Sequence, residues 1–207
     1  MAQSGFRLYG DCRSGNCYKV ALLFGFLGHA YEWTETDVLR SETRTEQFLS
    51  MNPNGRVPLL QLPNGKYLAE SNAMLLHLAD GSPFLPENDY ARALCYQWLF
   101  FEQYSHEPYI AVARFLLHFE HGIAIDEQRM EQLHTRGVEA LEVMERVLSI
   151  QDYFAGDSYS IADIALFAYT HVAGDGGFDL SPYGAVAAWM GRVREQAGHF
   201  DMAALRP

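Results

Sequence analysis

The chain is 207 residues long, enough to bury a sizeable core or to split into two modest domains without help from disulfides or a metal. Hydrophobic residues make up 49% and charged residues 20%, and no apolar run approaches the ~20 residues a membrane span requires, so the expectation is a soluble protein with no membrane partner. Lys plus Arg number 15 against 26 Asp plus Glu, a formal net charge of −11, and such a surface repels a phosphate backbone, which argues against nucleic acid as a partner.

Met1 to Gly5 has neither a basic start nor an apolar stretch, so nothing resembles an export signal and a cytoplasmic location is expected. Cys12, Cys17 and Cys95 are an odd count without a repeated framework, which fits free thiols in a reducing compartment. Cys12 and Cys17 lack a second pair of ligands at a suitable spacing, so no metal is expected.

Phe6 to Tyr9 alternates apolar residues before Gly10 and reads as a first strand. After the polar loop Asp11 to Gly15, Val20, Leu23, Phe24 and Leu27 recur at helical spacing, with Gly28 where a C-cap would sit. Tyr31 to Thr36 alternates as a second strand, and Glu42 to Ser50 reads as a short helix. Val57 to Leu62 and Tyr67 to Ala69 flank Pro63-Asn64-Gly65, a strong hairpin signal because an Asn-Gly step tolerates positive φ. A helix from Ser71 to about Ala79 follows. A helical crossover joins strands one and two, which implies a parallel pair extended by an antiparallel hairpin, the thioredoxin-like arrangement.

Gly81 to Pro86 breaks the pattern, and from Asp89 onward only helical periodicity appears. The helices expected are one capped at Asp89 with a kink or break near Pro108, then Asp126 to Ile150, Ser160 to Ala173 and Tyr183 to about Gln196. The fold class is therefore an α/β thioredoxin-like N-terminal domain, residues 1–80, a linker over 81–88, and an all-α helical C-terminal domain over 89–207.

Three segments of the first domain can carry chemistry. Ser14 and Asn16 lie where the first helix begins, and unpaired N–H groups with the helix dipole favour an anion there; Ser14 also serves simply as an N-cap. Arg56-Val57-Pro58 opens a strand, where Val57 N–H and C=O facing outward can pair with an extended peptide; taken alone, the segment reads as a trans proline starting an edge strand. Glu70 and Ser71 stand at another helix start, where a carboxylate side chain can take an ammonium while the hydroxyl and N–H groups take a carboxylate. A capping Ser beside an exposed acid would look the same.

In this order and spacing, the three segments resemble the glutathione transferase family, serine-type and bacterial, across nearly the whole chain. The resemblance implies that glutathione is the co-substrate, that a small electrophile is the second substrate, and that the protein is a homodimer. It implies that Ser14 bonds the glutathione sulfur, that Val57 pairs with the cysteinyl backbone, and that Pro58 is cis; Asn16, at the start of the same helix, is added as a candidate second donor on its position alone. Glu70 and Ser71 would grip the γ-glutamyl end, and Arg56 would meet the glycine carboxylate. Ser160-Ile161-Ala162-Asp163 matches the family's helix-capping motif, with Tyr159 and Ile164 as a hydrophobic staple; Asp163 then serves folding.

Tyr9 lies off the register of a tyrosine-type hydroxyl and is expected to be packed. Cys12 and Cys17 leave open a glutathione-dependent thiol-disulfide reductase, although their spacing is not that of a dithiol site; a glutathione-dependent peroxidase stays open as well, because the sequence does not identify the second substrate. The fold also occurs as a non-catalytic binding scaffold. Tyr104, Tyr109, Arg114, Phe115 and His118 are candidate walls for the electrophile, or else simply core at helical spacing. His106 and Glu107 read as solvated surface beside a helix break.

Overall fold

A computed structural model describes residues 5–119 and 126–205. The reading of Met1 to Ser4 as lacking an export signal falls outside those residues. The chain divides into two compact units, one holding the described residues up to Ser82 together with the segment from Ala197, the other Pro83–Gln196.

In the first unit, β1 (Arg7–Gly10), β2 (Glu32–Glu35), β3 (Leu59–Gln61) and β4 (Tyr67–Ala69) form one sheet in the order β2-β1-β3-β4. β1 runs parallel to β2 and antiparallel to β3, and β3 is antiparallel to β4. Register aligns Trp33, Leu8, Leu60 and Leu68 in one row across the strands, so the period-2 alternation presents them on one face. Tyr9 points the other way, against the rings of Phe48 and Tyr67, and is packed as expected.

Helix α1 (Gly15–Leu27) starts at Ser14, whose extended backbone and side chain cap it, and stops at Gly28 in the left-handed region. It is buried without a break from Cys17 to Phe24, so its apolar positions form a run as well as a stripe. Gly10 makes this approach possible, because a Cβ there would lie 2.5 Å from the Trp33 ring and 3.1 Å from Cys17 Sγ. A 3-10 turn (Glu42–Arg44) leads into α2 (Glu46–Met51), capped by the Thr45 hydroxyl. The hairpin turn is the one expected from Pro63-Asn64-Gly65: Gly65 has φ 80, and Leu62 N–H bonds Lys66 O across it at 2.8 Å. Helix α3 (Ser71–Ala79) packs against α1.

The end of the chain departs from the single domain expected over 89–207. Tyr18 of α1 donates its hydroxyl to Phe200 O at 2.6 Å and stacks edge-on against that ring. Gly198 and Gly25 bring two backbones together, since a Cβ on either would lie 3.0 Å from the other's carbonyl oxygen. This contact joins residues far apart in sequence and leaves no periodic signal. Of the linker expected over 81–88, the part from Pro83 groups with the helical unit: Phe84 O accepts from Ile161 N–H at 2.9 Å, and Leu85 is buried.

The second unit contains α4 (Asp89–Phe101), α5 (Glu107–Arg114), α6 (Glu127–Leu148), α7 (Ile161–Thr170) and α8 (Gly184–Arg194). Its core holds Trp98, Phe154, Phe167 and Trp189. The expected break near Pro108 takes the form of a π-helical turn, Glu102–His106, closed by Glu107 N–H on Glu102 O. Proline cannot donate to the carbonyl four residues back and its ring crowds that carbonyl, and a turn wider by one residue relieves the crowding. A second π turn, Phe115–Phe119, follows α5. His106 is fully buried, which corrects the expectation of solvated surface. Thr170 Oγ1 gives its one hydrogen to Leu166 O, so His106 Nε2 donates to Thr170 at 2.9 Å.

The capping box at Ser160 forms as expected. Asp163 is fully buried and accepts from Ser160 N–H at 2.9 Å, the Ser160 hydroxyl at 3.2 Å, Phe154 N–H at 3.1 Å and Trp189 Nε1–H at 3.0 Å. Burial pushes its carboxyl up to about 6 in spite of these four donors. Among the described residues no helix is long and apolar enough to cross a membrane.

Candidate functional site

Two helix N-termini of the first unit meet. Ser14 is the N-cap of α1, and its hydroxyl accepts from Cys17 N–H at 3.4 Å. A serine hydroxyl has two lone pairs and one hydrogen; capping uses an acceptor site, and the hydroxyl also lies within bonding reach of the Cys17 thiol. Asn16, two residues on, is half-buried, and its Oδ1 accepts from the Ser71 hydroxyl at 3.0 Å. Ser71 opens α3 and is buried. Deeper in the same interface the fully buried Lys19 donates to Asn72 Oδ1 at 3.2 Å.

Glu70, the N-cap of α3, has φ 69 and ψ 112. Positive φ in a residue with a Cβ is a strained conformation that recurs at ligand-holding positions. The Glu70 side chain is exposed and makes no cap bond to its own helix.

The loop before β3 carries the third segment. The Val57–Pro58 bond is cis, in line with the resemblance and against the trans reading of the segment taken alone. Pro58 is buried, Val57 half-buried and Arg56 exposed. Asn52 pins the loop, donating its amide to Arg56 O at 2.8 Å and accepting from Asn54 N–H at 3.2 Å. Among the described residues none bonds the N–H or C=O of Val57, and open backbone groups of this kind can pair with an extended peptide.

Sequence reasoning passed over Arg13. Its guanidinium donates to both oxygens of Asp11, at 2.8 and 2.6 Å, and to Asp37 at 2.6 Å. Asp11 is nearly fully buried; burial alone would push its carboxyl up, but the bonds from the Arg13 guanidinium and from Val38 and Arg13 N–H hold it below the ordinary value. The cluster ties the loop after β1 to the loop after β2 and so steadies the approach to Ser14. The local signal was an acid two residues before the arginine; the second acid, 24 residues on, had none.

Neither nearby thiol is activated. Cys12 is half-exposed, and burial with the Glu35 and Asp11 carboxylates pushes its thiol up. Cys17 is fully buried, and burial pushes it up to about 12 even though Ser14 opposes this. Asp11, Cys12 and Glu35 lie close enough to hold a metal ion. Their carboxylates are already engaged, Asp11 by Arg13 and Val38, Glu35 by Cys12 N–H and Trp33 Nε1–H.

The five candidates for an electrophile wall lie along the run from the first π turn through the second. Tyr104 is 82% exposed, His118 exposed, and Tyr109 and Phe115 half-buried. Arg114 is buried, with Nε 3.0 Å from Asp175 Oδ2 and its guanidinium over the Phe119 ring. Arg114 is thus engaged inside the helical unit, whereas Tyr104 is open to solvent.

Family models match both units. The glutathione S-transferase N-terminal domain covers residues 13–80 and the glutathione S-transferase C-terminal domain residues 98–197. A crystal structure of a glutathione S-transferase from Pseudomonas fluorescens is 54% identical, covering 96% of this chain and 99% of its own, with a TM-score of 0.94. The structure of Ure2p in complex with glutathione is 25% identical, covering 96% and 92%, with a TM-score of 0.85. The transcriptional regulator URE2 of Saccharomyces cerevisiae is 32% identical over 69% of this chain and 44% of its own length. The chain spans less than half the length of such Ure2 proteins. A match over both units, with a near-full-length relative at 54% identity, makes the chain a member of the glutathione S-transferase family.

Proposed function

We propose that this protein is a cytoplasmic, serine-type glutathione transferase of the bacterial kind, a homodimer that activates glutathione as a thiolate against a small electrophile. The observation that carries the reading is the 3.0 Å bond from Ser71 to Asn16, which joins the N-termini of α1 and α3. Two anion-favouring helix starts in one site suit a molecule with a carboxylate at one end and a sulfur a few atoms away. Ser14 and Asn16 donate to the sulfur, Val57 pairs with the cysteinyl backbone beside Pro58, Glu70 takes the γ-glutamyl ammonium, and the start of α3 at Ser71 takes its carboxylate. Arg56, exposed beside Val57, meets the glycine carboxylate. Tyr104, Tyr109, Phe115 and His118 are the candidates for contact with the electrophile, with Arg114 behind them.

A thiol of pKa about 8.5 is only a few per cent ionised at pH 7, and lowering it by ~2 units takes ~2.7 kcal/mol. A helix N-terminus offers roughly 0.3–1 kcal/mol and a hydrogen bond to a charged sulfur roughly 1.5–3. Together they can supply it, their sum running from about 2 to 4 kcal/mol. The thiol proton leaves to solvent and the thiolate attacks; with an aryl halide, a carbon–sulfur bond forms as the carbon–halogen bond breaks and halide departs.

Ser14→Ala is expected to raise the thiol pKa of bound glutathione by roughly one to two units, read by ultraviolet titration of the thiolate. An unmoved titration defeats the assignment. Likeness to a transcriptional regulator favours a second reading, a non-catalytic glutathione-binding protein. Retention on immobilised glutathione without turnover of any halide, peroxide or disulfide would decide for it.

A further inference from the structure

Cys17 lies in the first turn of α1 and is fully buried. A Cβ on Gly10 would come within 3.1 Å of its Sγ, so the sulfur is closed in by protein. The Ser14 hydroxyl and the Asp11 N–H both reach that sulfur, and the Asp11 and Glu35 carboxylates bear on it. Burial and the two carboxylates push the thiol up to about 12 against the two donors, so Cys17 keeps its hydrogen at any working pH and stays chemically inert. Of the two groups that reach the sulfur, only the serine oxygen can accept this hydrogen. Ser14 Oγ has two lone pairs and one hydrogen, and the Cys17 backbone N–H, at 3.4 Å, takes one lone pair. With the Cys17 S–H on the other, both acceptor positions are filled by Cys17, and the serine hydrogen is directed away from it. Ser14 itself is only half-buried, so that direction leads out of the core.

We infer that Cys17 is a positioning residue for thiol activation, whose un-ionised thiol donates to Ser14 Oγ and so turns the one Ser14 hydrogen onto the sulfur of bound glutathione. This rests on the glutathione-thiolate reading above and adds a buried residue behind the serine that the reading itself does not use. Hydrogen bonds in series polarise one another, so the run from Cys17 S–H through Ser14 O–H to the ligand sulfur strengthens its last bond, the one made to a charged acceptor. The opposite arrangement, with Ser14 donating to Cys17 Sγ, would commit the serine hydrogen to a weak neutral acceptor. Cys17 would then compete with the ligand, and its removal would make the bound thiol more acidic. A cysteine that only packed the start of α1 would leave the titration of the bound sulfur where it was. The sign of the pKa change therefore separates the three roles.

The test is the ultraviolet thiolate titration of glutathione bound at saturation to wild type, Cys17→Ala, Cys17→Ser, Ser14→Ala and the Ser14→Ala, Cys17→Ala double variant. Cys17→Ala is expected to raise the bound thiol pKa by about half a unit, the effect of one weak neutral hydrogen bond. Cys17→Ser, which keeps a donor and makes it a stronger one, is expected to hold the pKa at or below that of wild type. In the Ser14→Ala background, Cys17→Ala should add nothing, because the group it orients is gone. Should Cys17→Ala fail to fold, Cys17→Ser decides alone, and a rise in its bound thiol pKa overturns the inference. An unmoved or lowered pKa in a folded Cys17→Ala overturns it too, and so does a rise of equal size with and without Ser14. Wild type that binds no glutathione, or a Ser14→Ala titration that does not move, overturns the functional reading itself, so the two failures are told apart.

Discussion

Replacing Asp163 with alanine removes a buried carboxylate that serves three N–H donors and one hydroxyl. The hydroxyl of Ser160 can turn elsewhere, and it still caps Ala162 N–H. The N–H groups of Phe154 and Ser160 and the Trp189 indole cannot. Each buried donor left unpaired costs about 1–3 kcal/mol, and breaking a buried charged network costs about 3–5. We expect Asp163→Ala to lose about 3–5 kcal/mol, a large part of the 5–15 typical of a domain, seen by urea or thermal unfolding. The pH dependence makes the test sharper. Burial raises the folded carboxyl from 3.8 to about 6, so the stability linked to this group is fully present below 3.8 and is lost as pH rises through 6. The advantage of wild type over Asp163→Asn should therefore shrink by about 2 kcal/mol between pH 4 and pH 7. An advantage that grows over that interval would refute the reasoning that desolvation outweighs the donors. Unchanged unfolding of Asp163→Ala would refute the capping assignment.

Other expectations follow from the same geometry. Arg13→Ala leaves the buried Asp11 without its guanidinium and should cost about 1–3 kcal/mol. Asp11 titrates below its ordinary value in the folded protein, so its stabilisation is present above the unfolded pKa of 3.8 and is lost as pH falls through the folded one. Arg13→Ala should flatten this acid limb in pH-dependent denaturation, and an unaltered limb would contradict the assignment. Cys12→Ser should leave glutathione conjugation unchanged, because that thiol is pushed up and not activated; loss of turnover in an activity panel would shift weight to the reductase reading. Gly198→Ala meets a backbone at φ 98 with Gly25 O 3.0 Å from the new Cβ. It should lower stability by about 1–3 kcal/mol and expose the segment after Ala197 to protease, and unchanged proteolysis would show that the segment is held by other contacts.

Much of this protein was legible residue by residue. Gly28 ends α1, Asn64-Gly65 turns the hairpin and Ser160 with Asp163 caps α7, because each signal acts within a few residues of itself, through a backbone angle or an i to i+3 bond. The order of strands and helices followed, and with it the thioredoxin-like first unit and the helical second. Other features depended on which surfaces the folded chain brings together. Ser14, Asn16, Glu70 and Ser71 were recognisable as helix starts, but only packing of α1 against α3 made Asn16 and Ser71 partners across 55 residues. The same holds for Arg13 between two acids, for the Gly25–Gly198 approach that seats the chain's end on α1, and for His106, whose buried bond to Thr170 spans 64 residues. Periodicity records which side of an element is apolar; it carries no address for the neighbour that covers that side. The chemistry of this site depends on that neighbour.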